Sequence, residues 1–227
     1  MARILVIAPH ADDEVLGVGG TIARRSIQGD EVIVAVMTGH GEETHPLWSK
    51  ETWDIVRSEA AEAHAILGVS STIYKELPAV LVPDQPVHEI NKVVAELFNE
   101  VNPDILYIPF LYDMHYDHRC LVYACNVAWR PSSLTGRSIR EIYMYETLSE
   151  THWNIHQHEG GFLPNVYMDI SGDFLEKKKQ AFSCFASQIR EFPDARSIEG
   201  IEALAKWRGC SIGFHAVEAF CLVRKID

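Results

Sequence analysis

No apolar run in this 227-residue chain approaches the roughly 20 residues needed to span a bilayer. The apolar stretch after Met1-Ala2-Arg3 ends at Pro9 and carries no small-residue cleavage site, so no export signal is read there. Basic residues are in deficit. Twenty Lys and Arg face 32 Asp and Glu, giving a net charge of −12, and no Lys/Arg stripe interrupts it. That balance argues against a nucleic-acid backbone and against an anionic membrane surface as partners. The five cysteines (Cys120, Cys125, Cys184, Cys210, Cys221) are odd in number and form no C-x-x-C pair. They read as reduced thiols of a cytoplasmic protein rather than a disulfide framework. Repeats, low-complexity tracts and long linkers are also missing, so residues 1–227 read as a single domain.

What is present is a regular alternation of apolar runs with amphipathic stretches, the pattern of βαβ units around a parallel sheet. Strands are expected at Arg3–Ala8, Glu31–Met37, Thr72–Lys75, Ile105–Pro109, Glu141–Tyr145 and Val166–Ile170, with Ala216–Arg224 returning to the sheet. Helices are expected over Gly17–Gln28, Thr52–Leu67, Val87–Val101, His118–Trp129, Ser171–Ser187 and Ser197–Trp207. Ser171 and Ser197 are the candidate N-caps of the last two. The fold class is therefore α/β, a Rossmann-like three-layer αβα arrangement on a mostly parallel sheet.

Two clusters carry the chemistry. His10-Ala11-Asp12-Asp13-Glu14 follows the first strand, and His115-Tyr116-Asp117-His118 follows the fourth. Imidazole with carboxylate is the ligand set of a catalytic zinc site. Taken singly, either cluster reads as ordinary loop residues, with the acids favouring the positive end of the next helix. In a doubly wound sheet of order 3-2-1-4-5, however, strands one and four are neighbours, and ligands bind in the crevice at their carboxyl ends. The topology thus brings His10, Asp12 and Asp13 against His115, Asp117 and His118. A dinucleotide site is the natural rival, because Gly17, Gly19 and Gly20 open the first helix. Their G-x-G-G spacing and the acids before them do not suit a pyrophosphate, and they read instead as close helix–sheet packing.

Pro9-His10-Ala11-Asp12-Asp13-Glu14, Gly17-Val18-Gly19-Gly20-Thr21 and His115-Tyr116-Asp117-His118-Arg119 resemble the motifs of the LmbE-like (PIG-L) zinc deacetylases, P/A-H-P-D-D-E and H-x-D-H. Softer matches are Arg57-Ser58-Glu59-Ala60, Ser187-Gln188, Trp207-Arg208-Gly209 and Glu218-Ala219-Phe220. The resemblance implies a zinc-dependent hydrolase that removes the N-acetyl group from an N-acetylated amino sugar. It implies His10, Asp13 and His118 as Zn2+ ligands and Asp12 as the general base acting on the attacking water. His115 would be a protonated imidazole that stabilises the oxyanion and gives the leaving amine its proton. Asp117 would orient His115, raising its pKa. Arg57 would contact sugar hydroxyls. Ala11 stands in place of the usual proline, Phe185 where a histidine is common, and Ala216 where a tyrosine is common.

The alternatives are a metal-dependent amidase acting on a non-sugar acyl amide, and a nucleotide-binding or regulatory domain with a vestigial site. Two histidines and an aspartate also accept iron or cobalt. A homo-oligomer is left open. The histidine-rich loop around His152, His156 and His158 reads as a polar surface loop, His64 as a structural helix residue, and Glu14 has no assigned task.

Overall fold

The computed structural model describes residues 1–41, 45–154 and 160–227. His156 and His158 lie outside the described residues. In chain order the elements are β1 (Arg3–Ala8), α1 (Asp13–Ile27), β2 (Glu31–Gly39), α2 (Lys50–Leu67), β3 (Ser71–Pro78), α3 (Val87–Val101), β4 (Ile105–Pro109) and α4 (Tyr116–Ala128). Then follow α5 (Leu134–Ser138), β5 (Glu141–Tyr145), α6 (Leu148–Thr151), β6 (Val166–Asp169), α7 (Asp173–Ser183), α8 (Ile198–Cys210) and β7 (Val217–Lys225). A short 3-10 turn, Val82–Asp84, lies between β3 and α3.

The strands form one seven-stranded sheet of order β3-β2-β1-β4-β5-β7-β6. β3 to β5 run parallel, and β7 runs antiparallel to both β5 and β6. The alternation of side chains along β1 shows how the layers arise. Ile4, Val6 and Ala8 enter a core built with α1, α2 and α7, whereas Leu5 and Ile7 enter the core under α3 and α4. Both faces of β1 are thus buried, as expected for a central parallel strand covered by helices.

Several boundaries differ from the sequence expectation, and the differences concern the site. α1 begins at Asp13, four residues earlier than expected, because Val15 and Leu16 N–H groups already donate to the Asp12 carbonyl (3.0 and 2.9 Å). The acids of the first cluster therefore sit in the helix's first turn, where its dipole favours them. α4 likewise starts at Tyr116, with His115 as its N-cap. Ser197 caps α8 as expected, accepting from Gly200 N–H at 3.1 Å. Ser171 does not cap α7. Its hydroxyl and amide both bond Asp169, and Gly172, at φ 68°, makes the turn into the helix. α7 ends at Ser183 rather than Ser187, whose N–H is taken by the Glu59 carboxylate at 2.8 Å.

The glycines of α1 are packing glycines. A Cβ at Gly17 would lie 2.2 Å from the ring of Tyr145, and one at Gly20 would lie 2.7 Å from Ile170. On the same helix the buried Glu218 carboxylate accepts from the N–H groups of Gly20 (2.9 Å) and Thr21 (2.7 Å). Lys178 reaches across to Glu218 (2.6 Å) and to the Leu16 carbonyl (2.8 Å). Among the described residues, no helix is long and apolar enough to cross a membrane.

Candidate active site

β1 and β4 are hydrogen-bonded neighbours, so their carboxyl ends deliver both clusters to one point. The imidazole centroids of His10 and His115 are 4.5 Å apart, those of His10 and His118 5.4 Å, and those of His115 and His118 5.6 Å. Asp13 lies between two of them. Its Oδ2 accepts the His10 amide at 2.9 Å and stands 3.3 Å from His10 Nδ1 and 3.1 Å from His118 Nε2. Burial pushes Asp13 toward protonation, but His118 and His10 overcome it and hold the carboxylate well below its ordinary pKa. The structure thus brings together His10, Asp13 and His118, whose donor atoms lie within 4.8 Å of one another.

Two observations are in keeping with a cation there. Among the described residues, Asp13 Oδ1 and His118 Nε2 are both buried with no hydrogen-bond partner. Buried polar atoms are rarely left in that state, and an unpartnered carboxylate oxygen beside two imidazoles suits a positive charge. Two imidazoles and a carboxylate are also the donors that zinc takes. The possible donor atoms of a second group, His10, His115 and Asp117, also lie within 4.8 Å of one another, but its acceptor atoms are already engaged. Asp117 Oδ2 accepts Val80 N–H at 2.6 Å and Oδ1 accepts Val82 N–H at 3.3 Å, while His115 Nδ1 accepts the Asp117 amide at 3.2 Å.

Asp12 occupies an unusual backbone conformation, φ 129° and ψ −26°. That region strains any residue with a Cβ and persists only when the surroundings over-determine it. Here they do so. The Asp12 carbonyl accepts two helix amides, and its own N–H donates to Glu14 Oε2 at 3.2 Å. Glu14 is in turn fixed by His64 Nε2 at 3.0 Å, and His64 Nδ1 by Thr72 Oγ1 at 2.7 Å. Glu14, which sequence reasoning left idle, is therefore the brace of the bend, and His64 is structural as expected. The Asp12 carboxylate, 1% exposed, has no hydrogen-bond partner among the described residues. Burial raises its pKa to about 7, against the pull of the Arg196 guanidinium at 3.8 Å.

Asp117 and His115 are placed differently from expectation. The Asp117 carboxylate is 2.9 Å from His10 Nε2 and 4.0 Å from His115 Nδ1. Residue 117 orients His115 through its main-chain N–H, not its carboxylate. Because His115 Nδ1 accepts that bond, its proton belongs on Nε2. Burial and the neighbouring His10 push the His115 pKa down to about 4, opposite to the expected rise.

Arg57 is not part of the metal group. It pairs with Glu76, lies 5.1 Å over the Tyr74 ring, and abuts Gly39 at the carboxyl end of β2. Glu76 lines a cleft of about 530 Å3 with His40, His45, Lys75, Gln85 and Glu89. Two of the softer motif matches touch each other. Glu59 receives both the amide and the hydroxyl of Ser187, at 2.8 and 2.5 Å. Phe185 and Ala216 are buried in apolar clusters.

Sequence reasoning missed Asp113, Arg196 and Glu150. Asp113 stands five residues before His118 in the same segment and accepts from its Nδ1 at 2.8 Å. A second carboxylate beside the His-x-Asp-His run was the available signal. Arg196 faces Asp12 and Glu150, at 3.8 Å each, from the far end of the chain, and nothing local announces it.

Comparison with known proteins gives a consistent picture. Residues 5–129 match the family model PIG-L, described as GlcNAc-PI de-N-acetylase. The diacetylchitobiose deacetylase of Thermococcus kodakarensis is 28% identical over 209 residues, covering 83% of this chain and 71% of that protein. The structure of the N,N'-diacetylchitobiose deacetylase from Pyrococcus horikoshii superposes with a TM-score of 0.75 at 26% identity, over 98% of this chain and 84% of that one. The 4-carboxy-2-hydroxymuconate hydratase from Pseudomonas putida shares the fold, with a TM-score of 0.78 at 21% identity, covering 100% of this chain and 98% of that one.

Proposed function

This chain belongs to the PIG-L family, and from that premise we propose that it is a zinc-dependent hydrolase removing the N-acetyl group from an N-acetylated amino sugar, a derivative of N-acetylglucosamine. The observation that carries the reading is the convergence on one point of His10, Asp13 and His118, with the buried Asp12 carboxylate beside them. His10, Asp13 and His118 would hold the metal. Zinc, when bound, supplies Lewis acidity that polarises the amide carbonyl and makes water acidic near neutral pH.

The remaining work falls to the chain. Asp12 takes the proton of the attacking water. Its carboxylate has no competing hydrogen bond among the described residues, and burial strengthens it as a base. His115, neutral and protonated on Nε2, donates that hydrogen to the developing oxyanion. The proton gathered by Asp12 is then available to the departing amine. His115 thus acts as a fixed donor, with the Asp117 amide setting its ring. Arg57, paired with Glu76 at the rim of the cleft, would contact hydroxyl groups of the sugar. Arg196 balances the negative charge of Asp12 and Glu150. One domain, residues 1–227, would carry the whole activity, in a cytoplasmic protein.

The test is a panel of N-acetyl sugars set against simple acyl amides, with released acetate measured before and after chelation and after return of zinc, iron or cobalt. Acetate released from the sugars, lost on chelation and best restored by zinc, is the expected result. Hydrolysis of acyl amides alone would move the substrate away from sugars. Turnover that survives complete removal of metal would reject the reading.

A further inference from the structure

We propose that Asp113 and Asp117 are the positioning carboxylates of the metal centre, each holding a proton on the outer nitrogen of one ligand imidazole. The proposal rests on the ligand assignment above and deepens it. An imidazole binds metal through one nitrogen only when the other carries the proton, and a carboxylate on that other nitrogen fixes both tautomer and ring orientation.

Both pairings are formed in the structure. His118 Nδ1 meets Asp113 Oδ2 at 2.8 Å, with both side chains fully buried. The other Asp113 oxygen accepts the Thr151 hydroxyl at 2.6 Å, so this carboxylate is tethered from α6. His10 Nε2 meets Asp117 Oδ2 at 2.9 Å, and Asp117 is pinned by the Val80 and Val82 amides in the loop after β3. Backbone N–H groups on both Asp117 oxygens favour its ionised form, which accepts from His10. The proton therefore sits on Nε2 of His10 but on Nδ1 of His118. Opposite nitrogens of the two rings, Nδ1 of His10 and Nε2 of His118, then turn their lone pairs to Asp13. Asp117 acts here as an outer partner. Its oxygens are already engaged, so it is poorly placed to join His10 and His115 in holding a second ion.

The experiment uses the full chain, zinc, and a chromophoric chelator as competitor, with folding checked by circular dichroism. Asp113→Asn withdraws the charge at constant shape, and Asp113→Ala withdraws the acceptor as well. The corresponding Asp117 pair does the same for His10. Each Asn variant is expected to bind zinc about 10-fold more weakly than wild type, and each Ala variant about 100-fold. Nitrogen NMR of zinc-loaded, histidine-labelled wild type is expected to show the retained proton on Nε2 of His10 and on Nδ1 of His118. Where a variant fails to fold, this wild-type pattern decides alone. Either ring carrying its proton on the other nitrogen overturns the proposal, as does unchanged zinc affinity in folded Asp113→Ala and Asp117→Ala. A second tightly bound zinc that Asp117→Ala removes would make Asp117 a ligand and likewise overturn it. Zinc bound with the stated proton pattern, but no acetate released from any N-acetyl sugar, supports the carboxylate roles while rejecting the reaction.

Discussion

Replacing Asp12 by glycine should make this protein more stable and catalytically inert, and comparison with alanine shows why. At φ 129° a Cβ is strained, at a cost of about 1–3 kcal/mol. Asp12→Ala removes the carboxylate and keeps that strain. Asp12→Gly removes both, at a loss of about 0.4–1 kcal/mol from the greater freedom of glycine in the unfolded chain. The difference favours glycine over alanine by roughly 0.5–2 kcal/mol. For a chain of this length, about 1 kcal/mol moves the melting temperature by about 2–4 °C. Asp12→Gly is therefore expected to melt a few degrees above Asp12→Ala, and above wild type too, because a buried carboxylate without a hydrogen bond leaves with the strain. Melts are followed by circular dichroism in chelator, so that metal binding does not add its own stabilisation. Acetate release in both variants should fall about 100- to 10,000-fold, the scale of a lost general base. Asp12→Ala melting at or above Asp12→Gly would refute the claim that strain is stored at the base.

Other outcomes follow from the same geometry. Lys178→Met leaves Glu218 charged and buried without its partner, so urea denaturation should show a loss of about 3–5 kcal/mol; a loss under about 1 kcal/mol would mean that the pair is solvated. His115→Ala should lower kcat with zinc content intact, and wild-type turnover in that variant would remove His115 from the reaction. Burial holds Tyr107 up at about 12, and it also raises Tyr143 and Tyr145. Their folded pKa values exceed the ordinary 10.0, so the stability they contribute is complete below pH 10, and the share of Tyr107 falls as pH climbs through about 12. Phenolate absorbance should then show these rings ionising only as the protein unfolds, and their titration alongside exposed tyrosines would contradict their burial.

Most of the fold was legible because apolar periodicity reports burial directly. β1, α3, β4 and β5 fall on the expected residues. The helix starts at Asp13 and Tyr116 were harder to see, since polar residues in a first turn look like loop until the amides above them are counted. The convergence of His10, Asp12 and Asp13 with His115, Asp117 and His118 followed from strand order alone, whereas the choice of ligands among them came from the family resemblance. What stayed hidden depended on side-chain direction. Asp117 was expected to serve His115, two residues away, yet its carboxylate turns to His10, because the amides of Val80 and Val82 pull it there. Arg196 was hidden for a different reason: it faces Asp12 across a sequence separation of 184 residues.

The glycine face of α1 ties catalytic competence to the order of synthesis. Gly17, Gly19 and Gly20 each weaken an isolated helix by about 1 kcal/mol relative to alanine. Their partners Tyr145, Ile170, Lys178 and Glu218 all emerge from the ribosome after His118, the last proposed ligand. A nascent chain therefore holds every side chain of the proposed metal group before the partners of this glycine face have been made. If these side chains hold an ion as proposed, a chain cut short of the last strand would carry them without Glu218, which ties β7 to the amides of Gly20 and Thr21.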